Sequence, residues 1–162
     1  MSSVYIETSV LSYLRQKPSS QVVTAARQIL THQWWNNDRT KYELVVSQYV
    51  IDEVSAGDAS LAADRMLALI GIPVLPNAPE ILQIANEIMS RAILPPKAQI
   101  DALHIAAVAH HRIEYLLTWN CKHIANAKTL PRIHRVLEDM GIPIPIICTP
   151  EEMLGDGPEL ED

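Results

Sequence analysis

The sequence of 162 residues has no phenylalanine and only two cysteines, Cys121 and Cys148. Without Phe, a core must rest on Leu, Ile, Val and Ala. Apolar residues still make up 48% of the chain, enough for one domain that buries roughly 70% of its unfolded surface. Two cysteines in no metal-binding or redox spacing exclude a disulfide framework and point to a reducing cytoplasm. The start, Met1 to Glu7, lacks the basic and apolar regions of a signal peptide. No apolar run approaches the ~20 residues that span a bilayer, so a cytoplasmic protein is expected. Internal repeats and domain linkers are also missing.

A basic excess is absent as well, because the net charge is −6. Its distribution matters more than its sum. Residues 149–162 hold Glu151, Glu152, Asp156, Glu159, Glu161 and Asp162 and no Lys or Arg. The division expected is therefore a domain over 1–148 and an acidic C-terminal tail over 149–162, with a body of balanced charge. Between Lys122 and Arg135 there is no acid at all, while Lys122, His123, Lys128, Arg132, His134 and Arg135 fall there. Such a stretch suits phosphate contacts, with a solvated helix face as the plainer reading.

The apolar period switches repeatedly along the chain. Residues 4–6, 43–47, 72–75, 115–118 and 144–148 read as short strands, and helical periods lie between them. Thr8 or Ser9 is placed to cap the first helix, and Ser47 another. Pro79 suits the first turn of a helix over 80–93, and a further helix spans about 97–111. Thr149-Pro150-Glu151-Glu152 has the form of a capping box. Strands alternating with helices predict a parallel sheet of about five strands flanked by helices.

In such a sheet, ligands bind beyond the carboxyl ends of the strands, where strand order reverses. Glu7 and Asn120 lie just past two strands, Asp101 near the start of the helix preceding 115–118, and Glu53 on the helix following 43–47. If strands 4–6 and 115–118 are neighbours, all four side chains converge, and clustered carboxylates suit a hard divalent cation. Plainer readings exist: Asp101 complementing a helix dipole, Glu7 a solvated strand end, Glu53 an exposed helix residue. His104 shares a face with Asp101 and reads more readily as an orienting or core histidine than as a ligand. Trp34-Trp35 has the surface to stack bases, but packing or a protein contact is the better reading.

Ile6-Glu7-Thr8-Ser9, the helical Glu53, Asp101-Ala102-Leu103-His104-Ile105-Ala106 and Leu116-Leu117-Thr118-Trp119-Asn120 together resemble the successive acidic motifs of PIN-domain ribonucleases, in particular the VapC-like toxins of toxin–antitoxin pairs. The resemblance spans about residues 4–148. It departs at two positions: the family usually has Asp where Glu7 stands, and an acid at or near Asn120. Glu moves the carboxylate out by one methylene, and Asn keeps a carbonyl oxygen but loses the charge.

The resemblance implies a PIN-like, Rossmann-like α/β domain that hydrolyses RNA phosphodiesters with metal-activated water, using Mg²⁺ or Mn²⁺. It assigns metal binding to Glu7 and Asp101, further catalytic roles to Glu53 and Asn120, and support to Thr8 and His104. Lys122, His123, Lys128 and Arg132 become candidate RNA contacts. A homodimer and an antitoxin partner are expected. The alternatives are a PIN-like module with a weakened site that binds nucleic acid or protein without cutting, and an unrelated α/β phosphohydrolase.

Overall fold

Short runs rich in Val, Ile and Leu form strands here because both faces of the sheet are covered. The structure is a computed structural model describing residues 1–155. Its elements, in order, are β1 (Ser3–Ile6), α1 (Thr8–Arg15), α2 (Val22–Asn37), β2 (Glu43–Val45), α3 (Gln48–Val54), α4 (Ala59–Ala68), α5 (Pro79–Ser90), α6 (Gln99–His110), β3 (Tyr115–Leu117), α7 (Leu130–Asp139) and β4 (Ile146–Cys148). The four strands are parallel in the order β2-β1-β3-β4. The chain moves outward from β1 to β2, then returns to β1's other side with β3. The reversal thus falls between β1 and β3, so the condition on which the four side chains could converge is met.

Four strands are shorter than the sequence pattern suggests, among them β2, which ends at Val45 rather than at residue 47, and prolines explain two of the cases. The run 72–75 is reduced to one parallel bridge, Val46 to Val74. Pro73 can only accept, which it does from Val46 N, and Leu75 N then bonds Val46 O. The last strand begins at Ile146 because Pro145 has no N–H for the ladder. The described sheet therefore has four strands rather than about five. The strand at 115–118 stops at Leu117, although Thr118 N still donates to Cys148 O at 3.0 Å.

The helices keep closer to expectation. Pro79 opens α5, and α7 ends in a Schellman motif: Gly141 N bonds Glu138 O, and Ile142 N bonds Leu137 O. Gly141 sits at φ +69°, where a side chain would be strained. Helix α6 is buried on every side from Ala102 to Ala109, as its lack of a polar face requires, and it packs on α5 and β3. The polar segment after α2 folds into a 3₁₀ turn, Arg39–Lys41. Trp34 and Trp35 are buried rather than presented to a base or partner. Trp34 stacks on Tyr42, and Arg39 covers Trp35.

Both cysteines are free, and burial, with Glu152 adding to it, pushes the Cys148 thiol up to about 12. Beyond residue 148, Glu151–Met153 forms one 3₁₀ turn, with Thr149 Oγ1 donating to Glu152 Oε1 at 3.2 Å. Met153 and Leu154 pack on the core. The acids from Asp156 onward lie outside the described residues. Among the described residues, no helix is long and apolar enough to cross a membrane.

Candidate metal centre

Glu7 is the first residue past β1 and the N-cap of α1, a role expected of Thr8 or Ser9. Its Oε2 accepts from Ser9 N at 3.0 Å, from Thr118 Oγ1 at 2.8 Å and from Ser9 Oγ. Only 4% of the residue is exposed. Ser9 Oγ in turn accepts from Trp119 N at 2.8 Å, and Glu7 N bonds Leu117 O at 3.0 Å. The ends of β1 and β3 are thus laced together around one carboxylate. The cap explains the rotamer: with Oε2 folded back on the helix start, Oε1 has no protein donor among the described residues.

Because Glu7 does the capping, the Thr8 hydroxyl is released to donate across to Glu53 Oε1 at 2.6 Å. The same oxygen lies 2.5 Å from His104 Nε2. Burial pulls the Glu53 carboxyl upward, but the hydrogen bonds and charge attraction from His104, and the Thr8 bond, more than offset it and leave the group below the ordinary carboxylate range. Again one oxygen is anchored and the other, Oε2, has no protein partner among the described residues.

His104 is wholly buried. Its Nδ1 lies 2.7 Å from the Tyr5 hydroxyl, which lies 2.6 Å from Ser47 Oγ. Burial above all raises the Tyr5 phenol far above its usual range, so it stays protonated. Ser47 occupies the N-cap position of α3, as expected, but makes no cap bond with its side chain, which is spent on Tyr5.

Asp101, in the first turn of α6, belongs to a different set of contacts. Asn120 Nδ2 donates to its Oδ1 at 3.1 Å, and His123 Nδ1 lies 2.9 Å from its Oδ2. Asn120 Oδ1 accepts from His123 N at 3.0 Å. Both ends of the Asn120 amide are therefore engaged within the protein.

The expected convergence takes a particular form. One ligand atom each from Glu7, Glu53 and His104 lie within 4.8 Å of one another, so that two carboxylates and an imidazole share one small volume. The expected pair Glu7 and Asp101 is not what the structure groups. Asp101 joins Asn120 and His123 instead. Tyr5 and Thr118 carry no signal in the spacing, and Ser9 and Ser47 read only as helix caps, yet all four orient the group. What the sequence does offer for Ser9, Ser47 and Thr118 is a hydroxyl just past a strand end, and Tyr5, inside β1, lacks even that. Lys122, Lys128 and Arg132 are exposed on the segment that follows, while His123 is partly buried against Asp101. A depression of about 500 Å³ lies elsewhere, beside the free edge of β2, and contains none of these acids.

The sequence profile of the PIN domain matches residues 4–128. Comparison with curated protein sequences yields no match. Among solved structures, the chain is similar to one in the VapBC2 complex of Rickettsia felis bound to a DNA fragment from their promoter, with 14% identity, a TM-score of 0.52, and 91% of this chain and 98% of that chain covered. It is also similar to one in VapBC-1 of nontypeable Haemophilus influenzae, with 12% identity, a TM-score of 0.54 and the same coverage. At these identities the likeness is one of fold.

Proposed function

The chain belongs to the PIN-domain family, and from that premise we propose that it is a metal-dependent endoribonuclease held in check by an antitoxin protein. The observation that carries the reading is the group Glu7, Glu53 and His104 at the switch point between β1 and β3. The donor set fits a divalent cation. Glu7 and Glu53 are each fixed through one oxygen, and each keeps a second oxygen with no protein partner among the described residues. That division holds the carboxylates in place without using up their capacity to ligate.

When bound, Mg²⁺ or Mn²⁺ supplies an activated water and neutralises charge building on the phosphate. The remaining work falls to the chain. Glu7 and Glu53 hold the cation, and the Thr8, Ser9 and Thr118 hydroxyls keep the two carboxylates aimed. Asp101, held by Asn120 and His123, adds negative charge that orients the water or a further ligand. Asn120 acts on Asp101 rather than as a ligand, since its amide is already engaged at both ends. Exposed Lys122, Lys128 and Arg132 draw the RNA backbone toward this end of the sheet.

The similar chains come from VapBC complexes, which supports a protein partner of antitoxin type here; a homodimer of this chain is part of the same proposal and rests on the family resemblance alone. Exposed Leu67, Ile70 and Val74, close to the free edge of β2, offer apolar area for such contacts. A second reading, a PIN module that binds without cutting, draws on Asn120 standing where the family usually has an acid.

Incubation of the protein with structured and single-stranded RNA, with and without Mn²⁺, decides between them. Cleavage is expected only with the cation, and is expected to disappear in a Glu7→Gln/Asp101→Asn double variant. RNA retained but uncut at saturating Mn²⁺ would favour the binding module. Cutting of small phosphate esters in place of RNA would favour a phosphohydrolase.

A further inference from the structure

Resting on the metal site just proposed, we infer that His104 is itself a ligand through Nε2, so that the site has a mixed nitrogen and oxygen donor set rather than an all-carboxylate one. Only two carboxylates, Glu7 and Glu53, stand in the group itself, and Asp101 is held apart from it by Asn120 and His123. The third ligand atom within 4.8 Å is the imidazole nitrogen. Its ring is prepared for that role from behind. A ligating imidazole presents a lone pair at one nitrogen and usually donates N–H from the other to an oxygen. Here Nδ1 faces the Tyr5 hydroxyl at 2.7 Å, and the Tyr5 oxygen can accept a hydrogen bond from Nδ1–H because its own O–H can donate to Ser47 Oγ at 2.6 Å. With Nδ1 protonated, Nε2 directs its lone pair at the space shared with Glu7 and Glu53.

Edge-on contacts from Tyr5 and Tyr49 hold the ring plane, and complete burial denies it other partners. Without a cation, the alternative tautomer places the proton on Nε2 and donates it to Glu53 Oε1. The same atom thus guards the carboxylate when the cation is absent and joins it when the cation arrives. Imidazole favours transition metals over Mg²⁺ more than carboxylate oxygens do. His104 therefore sets the site's preference toward Mn²⁺ and Co²⁺.

The test uses Mn²⁺ itself as the probe, read by pulsed electron spin resonance for nitrogen coupling and by calorimetry for affinity. The parent protein is expected to show ¹⁴N coupling to bound Mn²⁺, retained in His123→Gln and lost in His104→Gln. Glutamine still donates to Glu53 but is a poor nitrogen ligand. Mn²⁺ affinity should fall at least ~10-fold in His104→Gln, and Mg²⁺ affinity by less than ~3-fold. Mn²⁺ bound to the parent without ¹⁴N coupling would overturn the assignment of His104 alone. Loss of the coupling in His123→Gln would overturn it as well, whether or not the His104 variant folds. A parent that binds no Mn²⁺ would remove the nuclease reading together with it.

Discussion

Two clusters sit at the same end of the sheet and treat their carboxylates differently. Around Glu7 and Glu53, each carboxylate is tied down by one oxygen through hydroxyl, amide and imidazole donors. Around Asp101, both oxygens are tied, to Asn120 and to His123. The first arrangement fixes position and keeps ligating capacity. The second fixes position and uses it. An acid's presence in a family motif therefore does not say whether it binds a cation or holds the groups around it. What decides is how many of its oxygens the protein has already taken.

The largest effect should come from breaking this contrast directly. Glu7→Gln is expected to abolish Mn²⁺ binding and RNA cleavage while keeping an acceptor for Ser9 and Thr118, so the fold survives. Glu7→Ala should lose the same functions and also about 1–2 kcal/mol of stability, because α1 loses its N-cap and Thr118 its buried partner. Asp101→Asn should weaken Mn²⁺ binding by a smaller factor than Glu7→Gln. Equal losses in the two, measured by calorimetry, would place Asp101 among the ligands and erase the distinction.

Next is the support behind His104. Tyr5→Phe removes the hydroxyl between Ser47 and His104 and leaves two buried polar groups without that partner, at a cost of about 1–3 kcal/mol. For a chain of this size that is a fall in Tm of several degrees. Thermal unfolding without added cation checks it, and an unchanged Tm would mean that the hydroxyl is not a structural tie.

This chain of contacts also marks where the sequence stops being legible. The carboxylate past β1 and the helical Glu53 follow from local period and the rules of parallel sheets, whereas the pairing of β1 with β3 enters the sequence reading only as a condition that the fold then meets. Tyr5, Ser47 and His104 are 42 and 99 residues apart along the chain, so no spacing rule links them. Helix α6 is apolar all round, and its period therefore cannot say which way His104 points. Glu7 as a cap was hidden for a different reason: Thr8 and Ser9 are both better capping types, and the choice depends on Thr118 arriving from β3. The tryptophan pair is buried, as the packing reading expects, but its partners Tyr42 and Arg39 lie beyond the helix that carries it, so the sequence does not show what covers it.

Asn120→Asp sharpens the comparison from the other side. It replaces the N–H that now meets Asp101 at 3.1 Å with a second carboxylate. Like charges at that distance should cost about 1 kcal/mol without cation, and should raise Mn²⁺ affinity severalfold if the Asp101 cluster contributes to binding. Calorimetric titration of parent and variant at one ionic strength reads both. Unchanged affinity would confine Asp101 and Asn120 to a structural role.

The smallest effect expected is that of Thr8→Val, which removes one of the two donors on Glu53 Oε1 and leaves His104 in place. In the folded protein Glu53 lies below its ordinary value of 4.5, because its donors outweigh burial. A carboxylate depressed in this way adds stability that is fully present above the unfolded value and is lost as pH falls through the folded one. Removing Thr8's hydroxyl brings the two values closer together, so parent and variant should differ near neutral pH and converge in acid. The Glu53 side chain is 36% exposed, and water replaces much of what the hydroxyl gave. The difference at pH 7 should therefore stay below ~1 kcal/mol. Urea unfolding at pH 7 and pH 3 makes the measurement. A gap that persists or widens at pH 3 would show that Thr8 supports packing rather than the charged carboxylate, and would remove it from the set of groups that keep Glu53 ready for a cation.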